Sequence, residues 1–142
     1  MKRNGDIIII EDDPDDWEIL VEVLGEVMDE NKFKNRVIIF EDSTLAVEYL
    51  KDTKAEIFMI VSDINMPRLN GFELRESIYK VPLLFNKCMP FIFLTTSSTK
   101  ECVSRAFELP LQGFFEKPLT FPDYKKLMSD IVMYWKHCLA PS

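Results

Sequence analysis

IIIIEDDPDDWEILVEVLGEVM, residues 7–28, is the stretch on which the fold turns. Its four consecutive isoleucines, Ile7 to Ile10, show no alternation of polar and apolar residues, so they read as a strand buried on both faces, as in a parallel sheet. The chain then becomes acidic at Glu11, Asp12 and Asp13, and Pro14 follows. An aspartate before a proline is a helix N-cap with proline at the first helical position. Trp17, Leu20, Val21, Leu24, Val27 and Met28 next recur at helical spacing, which predicts a helix from about residue 14 to about residue 29.

The same strand-then-helix unit recurs outward from this stretch. Apolar runs at Val37 to Phe40, Ile57 to Val61, Phe91 to Leu94 and Gly113 to Phe115 read as four more strands. Ser43 can cap a second helix bearing Ala46, Val47 and Leu50, and a third starts near Gly71, after an Asn70-Gly71 turn, with Leu74 and Ile78 on one side, ending before Pro82. Ser98 or Thr99 can cap a fourth with Val103, Ala106 and Phe107 inward, and Phe121-Pro122 opens a fifth carrying Tyr124, Leu127, Met128, Ile131 and Trp135. Five such units imply an α/β sandwich with a parallel sheet and right-handed crossovers. The stretches Asp29 to Arg36 and Tyr79 to Pro90 read as surface loops.

Composition bounds what this sandwich does. A chain of 142 residues has room for one domain. An apolar fraction of 47% and a charged fraction of 29% exclude disorder and a disulfide scaffold. No apolar run approaches the roughly 18–20 residues that span a bilayer, and no secretory segment follows Met1, which predicts a cytoplasmic protein without a membrane association. A net charge of −7 opposes binding to a polyphosphate, so no nucleic-acid partner is expected. Cys88, Cys102 and Cys138 form no C-x-x-C pair and read as idle thiols. The single histidine, His137, sits near the chain end as a helix-end residue that suits the dipole, with no nucleophile motif around it.

In such a sheet, ligands collect at the carboxyl ends of the strands. Every polar cluster falls there: Glu11-Asp12-Asp13 after the first strand, Ser62-Asp63-Ile64-Asn65 after the third, Thr95-Thr96 after the fourth, and Glu116-Lys117-Pro118 after the fifth. Three carboxylates at adjacent strand ends repel one another unless a cation is bound, and Mg²⁺ with oxygen ligands is the natural remedy. Asp12 is expected to bind it directly, Glu11 through water or by supporting its shell, Asp63 as a further carboxylate, and Asn65 through its backbone carbonyl. Asp13 is assigned to capping. Lys117 supplies a compact positive charge and Thr95 a hydroxyl. A carboxylate nucleophile beside Mg²⁺, a lysine and a threonine is equipped for phosphoryl transfer, with Asp63 as the nucleophile.

These residues carry a family resemblance. Glu11-Asp12-Asp13-Pro14-Asp15-Asp16, then Ser62-Asp63-Ile64-Asn65-Met66-Pro67, then Leu94-Thr95-Thr96, then Lys117-Pro118, together resemble the receiver domain of two-component response regulators over nearly the whole chain. The resemblance implies a flavodoxin-like (βα)₅ three-layer sandwich of strand order 2-1-3-4-5, with Asp63 as phosphoacceptor from a histidine kinase or histidine phosphotransfer protein. It implies Glu11 and Asp12 as the acid pair, Asn65 as carbonyl ligand, Thr95 as switch hydroxyl, Lys117 as phosphate partner, and a cis bond before Pro118. Phe114 stands where many receivers carry a tyrosine or phenylalanine that moves with phosphorylation, and Thr96 where alanine is frequent, which narrows access to Asp63.

The whole of 1–142 then reads as one stand-alone receiver with no output domain and no catalytic activity beyond its own phosphorylation and dephosphorylation. Its acidic start and the Tyr134-Trp135 pair are similar to small regulators that partner phytochrome-type kinases. Homodimerisation or target docking through the face of the fourth helix, fifth strand and fifth helix is expected, strengthened by phosphorylation, with Phe121, Tyr124 and Trp135 adding aromatic area.

Taken singly, each cluster has an ordinary explanation: an acidic run is a cap and dipole match, Asp63 a turn residue, Lys117 a surface lysine. Only their convergence at one sheet end argues for chemistry. A haloacid-dehalogenase-like phosphatase would also use an aspartate, Mg²⁺ and a lysine, but requires a second aspartate at position 65, which is asparagine. A nucleotide-binding module lacks its glycine-rich loop.

Overall fold

In the computed structural model, residues 2–52, 54, 56–80, 89–96, 99–108 and 112–139 are described. Strands and helices alternate along them: β1 (Asp6–Ile10), α1 (Pro14–Asn31), β2 (Val37–Phe40), α2 (Ser43–Asp52), β3 (Ile57–Ser62), α3 (Gly71–Tyr79), β4 (Phe91–Thr95), α4 (Lys100–Ala106), β5 (Gly113–Glu116) and α5 (Phe121–His137). The strands form one parallel sheet in the order β2-β1-β3-β4-β5. This is the flavodoxin-like arrangement expected from the sequence, and its strand order reverses between β1 and β3, where a ligand crevice opens.

The unbroken apolar runs are explained by two-sided burial. Every residue of β1, β3 and β4 is buried, whereas the edge strands β2 and β5 are half-buried. Alternate residues feed opposite layers. Ile7, Ile9, Val61, Ile92 and Leu94 pack with Leu20, Leu24, Met128 and Val132 of α1 and α5. Ile8, Ile10, Ile60, Phe91 and Phe93 pack with Leu50, Leu74 and Ala106 of α2, α3 and α4.

The helix ends follow the predicted chemistry with some corrections. Asp13 accepts from the Asp15 amide at 3.0 Å and caps α1, which runs on to Asn31 because Lys32 closes it in the left-handed region. Asp42, not Ser43, caps α2: its Oδ1 accepts from Thr44 N at 2.9 Å, while Ser43 Oγ donates to Leu69 O. Thr99 caps α4; Ser98 lies outside the described residues, as do Pro82 and Cys88. Phe107, expected inward, is instead the C-cap that follows Ala106 and is 73% exposed.

Asn35, in a predicted surface loop, is buried and donates to Arg3 O and Gly5 O, tying the approach to β1 to the approach to β2. Tyr124, expected on an interaction surface, is buried in the core, and Phe121 and Trp135 are half-buried against it. The α5 stripe that carries Tyr124 also carries Met128 and Ile131, and this stripe faces the sheet. No peptide bond among the described residues is cis, so the Lys117–Pro118 bond is trans, the intrinsically preferred isomer. Cys102 and Cys138 are free thiols, and His137 is the exposed last residue of α5, both as expected.

One glycine places the functional end of β3. Asn70 and Glu73 form a reciprocal capping box at the start of α3, and Gly71 N donates to Ile64 O at 2.7 Å. A Cβ at Gly71 would lie 2.5 Å from Asp63 O and 2.8 Å from Ile64 Cα, both backbone atoms that cannot step aside alone. Gly71→Ala is therefore expected to cost about 1–3 kcal/mol in denaturant unfolding, the range of overpacking. It should also weaken any ligand held by the Asp63 loop, measured by titration of the refolded variant.

Candidate functional site

The sheet's own backbone ladder carries the first site residues into place. Glu11 N donates to Phe40 O at 3.0 Å and Asp63 N to Ile10 O at 3.1 Å, each extending strand pairing one residue past the strand end. The Asp63 carboxylate is held by its neighbour, with Ile64 N donating to Oδ1 at 2.8 Å. Lys117 N donates to Thr95 O at 2.8 Å, which anchors the lysine to the end of β4.

The side chain of Lys117 then runs into the crevice between β1 and β3. Its ammonium is 3.0 Å from Asp16 Oδ2, 3.3 Å from Glu11 Oε2 and 3.7 Å from Asp63 Oδ2. Glu11, Asp12 and Asp63 each bring a carboxylate oxygen into a cluster no more than 4.8 Å across. Around them lies a cavity of about 10 Å³, close to one water in size, lined in part by Asp16, Leu20, Leu94 and Tyr124. The structure thus brings together Glu11, Asp12, Asp63 and Lys117 as the sequence predicts.

Asp16 joins them as a residue that sequence reasoning left without a role. The signal available was its place in the first turn of α1, four residues beyond Asp12. That position set it beside the acid run, but only the path of Lys117 reveals the contact.

Electrostatics makes the cluster a cation site. Burial, and then the nearby Asp63 charge, raise the Glu11 carboxyl from 4.5 to about 8, against the opposing pull of Lys117. Burial also works against the Lys117 charge, but Asp63, Glu11 and Asp16 outweigh it and raise the ammonium above its ordinary range. Burial likewise raises the Tyr124 hydroxyl. One ammonium is therefore insufficient for this concentration of carboxylate. The donor set is all oxygen, hard and anionic, which fits Mg²⁺, with Glu11, Asp12 and Asp63 as the residues that would hold it.

The remaining predicted residues sit around this centre. Thr95 ends β4 and is wholly buried, whereas Thr96 is exposed. Asn65 is exposed on the loop after β3, two residues beyond Asp63. Phe114, in β5, is half-buried with its ring edge-on to Phe93 at 6.2 Å; Phe93 meets Phe72 edge-on in turn at 5.4 Å.

Known proteins share this frame. The profile of the response regulator receiver domain matches residues 7–129. The response regulator Rcp1 of Synechocystis sp. is 26% identical over 134 residues, which cover 91% of this chain and 87% of that protein. The probable methanogenesis regulatory protein FilR2 of Methanothrix harundinacea is 27% identical over 107 residues, 72% of this chain and 68% of that one. Among solved structures, the phosphorylated cyanobacterial phytochrome response regulator RcpA superposes with a TM-score of 0.81 at 20% identity, over 97% of this chain and 99% of that one. The Mn²⁺-bound form of Rcp1 superposes with a TM-score of 0.80 at 24% identity, again over 97% and 99%.

A cation that relieves carboxylate repulsion only in the folded chain stabilises it by mass action. Millimolar Mg²⁺ is expected to raise the melting temperature, and the rise should shrink at least severalfold in Asp12→Asn and in Asp63→Asn. Calorimetry with and without the metal checks both.

Proposed function

We propose, for a chain that belongs to the response regulator receiver domain family, that Asp63 accepts a phosphoryl group from a phosphohistidine and that the chain signals by contact with other proteins. The observation that carries this reading is the convergence on Lys117: one ammonium within 4 Å of three carboxylates, of which Asp63 directly follows the central strand β3. A carboxylate oxygen of Asp63 attacks phosphorus, the O–P bond forms, and the P–N bond to the donor imidazole breaks with its electron pair going to the ring, which takes up a proton. Lys117 supplies an ammonium to the equatorial oxygens, and the Thr95 hydroxyl supplies a donor to the same group. Mg²⁺, when bound by Glu11, Asp12, Asp63 and the Asn65 carbonyl, supplies further charge neutralisation.

No part of the site supports the haloacid-dehalogenase reading, because Asn65 cannot serve as the general acid which that chemistry places there. The chain is read instead as a regulator that keeps the phosphoryl group on itself rather than turning over a substrate. The donor is a histidine kinase or histidine phosphotransfer protein, and the likeness to Rcp1 and RcpA favours a phytochrome-type kinase. With a net charge of −7, nucleic acid is a poor partner. Among the described residues no helix is long and apolar enough to cross a membrane. A cytoplasmic receiver spanning 1–142 is the setting that goes with this reading.

The switch is read as Thr95 and Phe114. A phosphoryl group on Asp63 draws the Thr95 hydroxyl toward it, and the half-buried Phe114 ring changes packing against Phe93. The surface reshaped is that of α4, β5 and α5. Phe107 and Tyr134 are exposed there, and a groove of about 460 Å³ opens beside Phe115, Leu127 and Trp135. Those exposed rings and that groove support homodimerisation or target docking through this face.

Two outcomes test the reading. Acetyl phosphate with Mg²⁺ should add one phosphoryl group by intact mass, and Asp63→Asn should take none; an equally phosphorylated Asp63→Asn would refute it. Beryllofluoride should strengthen self-association in sedimentation, and Phe114→Ala should remove the difference between the two states. An unchanged difference would break the proposed coupling.

A further inference from the structure

The shortest contact of the Lys117 ammonium is neither to Glu11 nor to Asp63 but to Asp16, at 3.0 Å against 3.3 Å and 3.7 Å. Asp16 stands outside the acidic trio that would hold the metal. It projects from the first turn of α1, where the positive end of the helix favours a carboxylate. Its side chain is 38% exposed, whereas those of Glu11 and Asp63 are 5% and 11% exposed.

Asp16 and Glu11 accept hydrogen bonds from this ammonium at 3.0 Å and 3.3 Å, whereas Asp63 stands beyond hydrogen-bond distance at 3.7 Å. To reach a phosphoryl oxygen on Asp63 the ammonium must move toward it and loosen one of those two contacts. Releasing Glu11 would leave a buried carboxyl oxygen without its hydrogen-bond donor, which is costly. Releasing Asp16 exposes a group that water can solvate at once.

We propose that Asp16 is a positioning residue that holds Lys117 back from Asp63 in the resting protein and yields it to the phosphoryl group, thereby limiting the rate of phosphorylation. This rests on the reading of Asp63 as phosphoacceptor. With acetyl phosphate, the O–P bond to Asp63 forms as the bond from phosphorus to the acetate oxygen breaks, its electron pair leaving with acetate. Lys117 keeps its protons throughout and changes only its partners.

Asp16→Asn keeps the size and an accepting oxygen but removes the charge. At saturating Mg²⁺, its phosphorylation is expected to be about threefold faster than that of the parent, the modest scale of a partly exposed ion pair. The same factor should appear with acetyl phosphate and with phosphoramidate, which carries less negative charge, and Asp16→Glu should return to the parent rate. An unchanged or slower Asp16→Asn would overturn the proposal. So would an acceleration confined to acetyl phosphate, since that would mark simple repulsion of a more anionic donor rather than a hold on Lys117. Retention of the Mg²⁺-induced rise in melting temperature shows that the variant is folded with its metal site intact. A parent chain that takes no phosphoryl group, or an Asp63→Asn chain that does, would instead bring down the phosphoacceptor reading beneath it.

Discussion

The ion pairs of Lys117 hold the functional end of this molecule together. The lysine is anchored by its own backbone to Thr95, and its ammonium reaches across the sheet to Glu11 and Asp63 and up to Asp16 on α1. Strands β1, β3, β4 and β5 and helix α1 thus meet at one charge. The Glu11 and Lys117 side chains are only 5% and 9% exposed, so their contact is shielded from water. The exposed Lys126–Asp130 pair, by contrast, is a helix-surface contact of little consequence.

The loop that carries Asp63 also touches the aromatic packing on one face of the sheet. The Asp63 backbone lies against Gly71, whose position is fixed by the Asn70–Glu73 capping box, and a Cβ there would also come within 2.9 Å of the Phe93 ring. Phe93 sits edge-on to Phe72 and to Phe114. Contacts therefore run from the Asp63 backbone past Gly71 to Phe93 and on to Phe114 of β5.

Much of this was legible because the deciding features are local. Ile7 to Ile10 need no context to read as a two-sided strand, and Asp13-Pro14 marks the start of α1 as plainly as Asn70-Gly71 marks that of α3. The convergence of Glu11, Asp12, Asp63 and Lys117 followed once the topology was known, since strand ends in a parallel sheet share an edge. Residues whose role depends on a partner distant in sequence were not legible. Asp16 is one, since its carboxylate meets a lysine about a hundred residues away. Asn35 is another, its amide hidden among Arg3 O and Gly5 O. Tyr124 and Phe107 were misplaced because helical periodicity gives a stripe, but where the stripe faces and where the helix stops depend on the packing around it.

One lysine links the carboxylates of the sheet's carboxyl end, and a phosphoryl group on Asp63 redraws its contacts. The most direct measurement is an isotope-labelled NMR titration, first with Mg²⁺ and then with beryllofluoride. The account predicts that Mg²⁺ shifts resonances of residues 11–13, 16, 63–66 and 117, and that beryllofluoride then adds Thr95 and Phe114 and moves Asp16 and Lys117 further. Shifts scattered over the sheet, or a beryllofluoride response that leaves Lys117 and Asp16 unmoved, would contradict it.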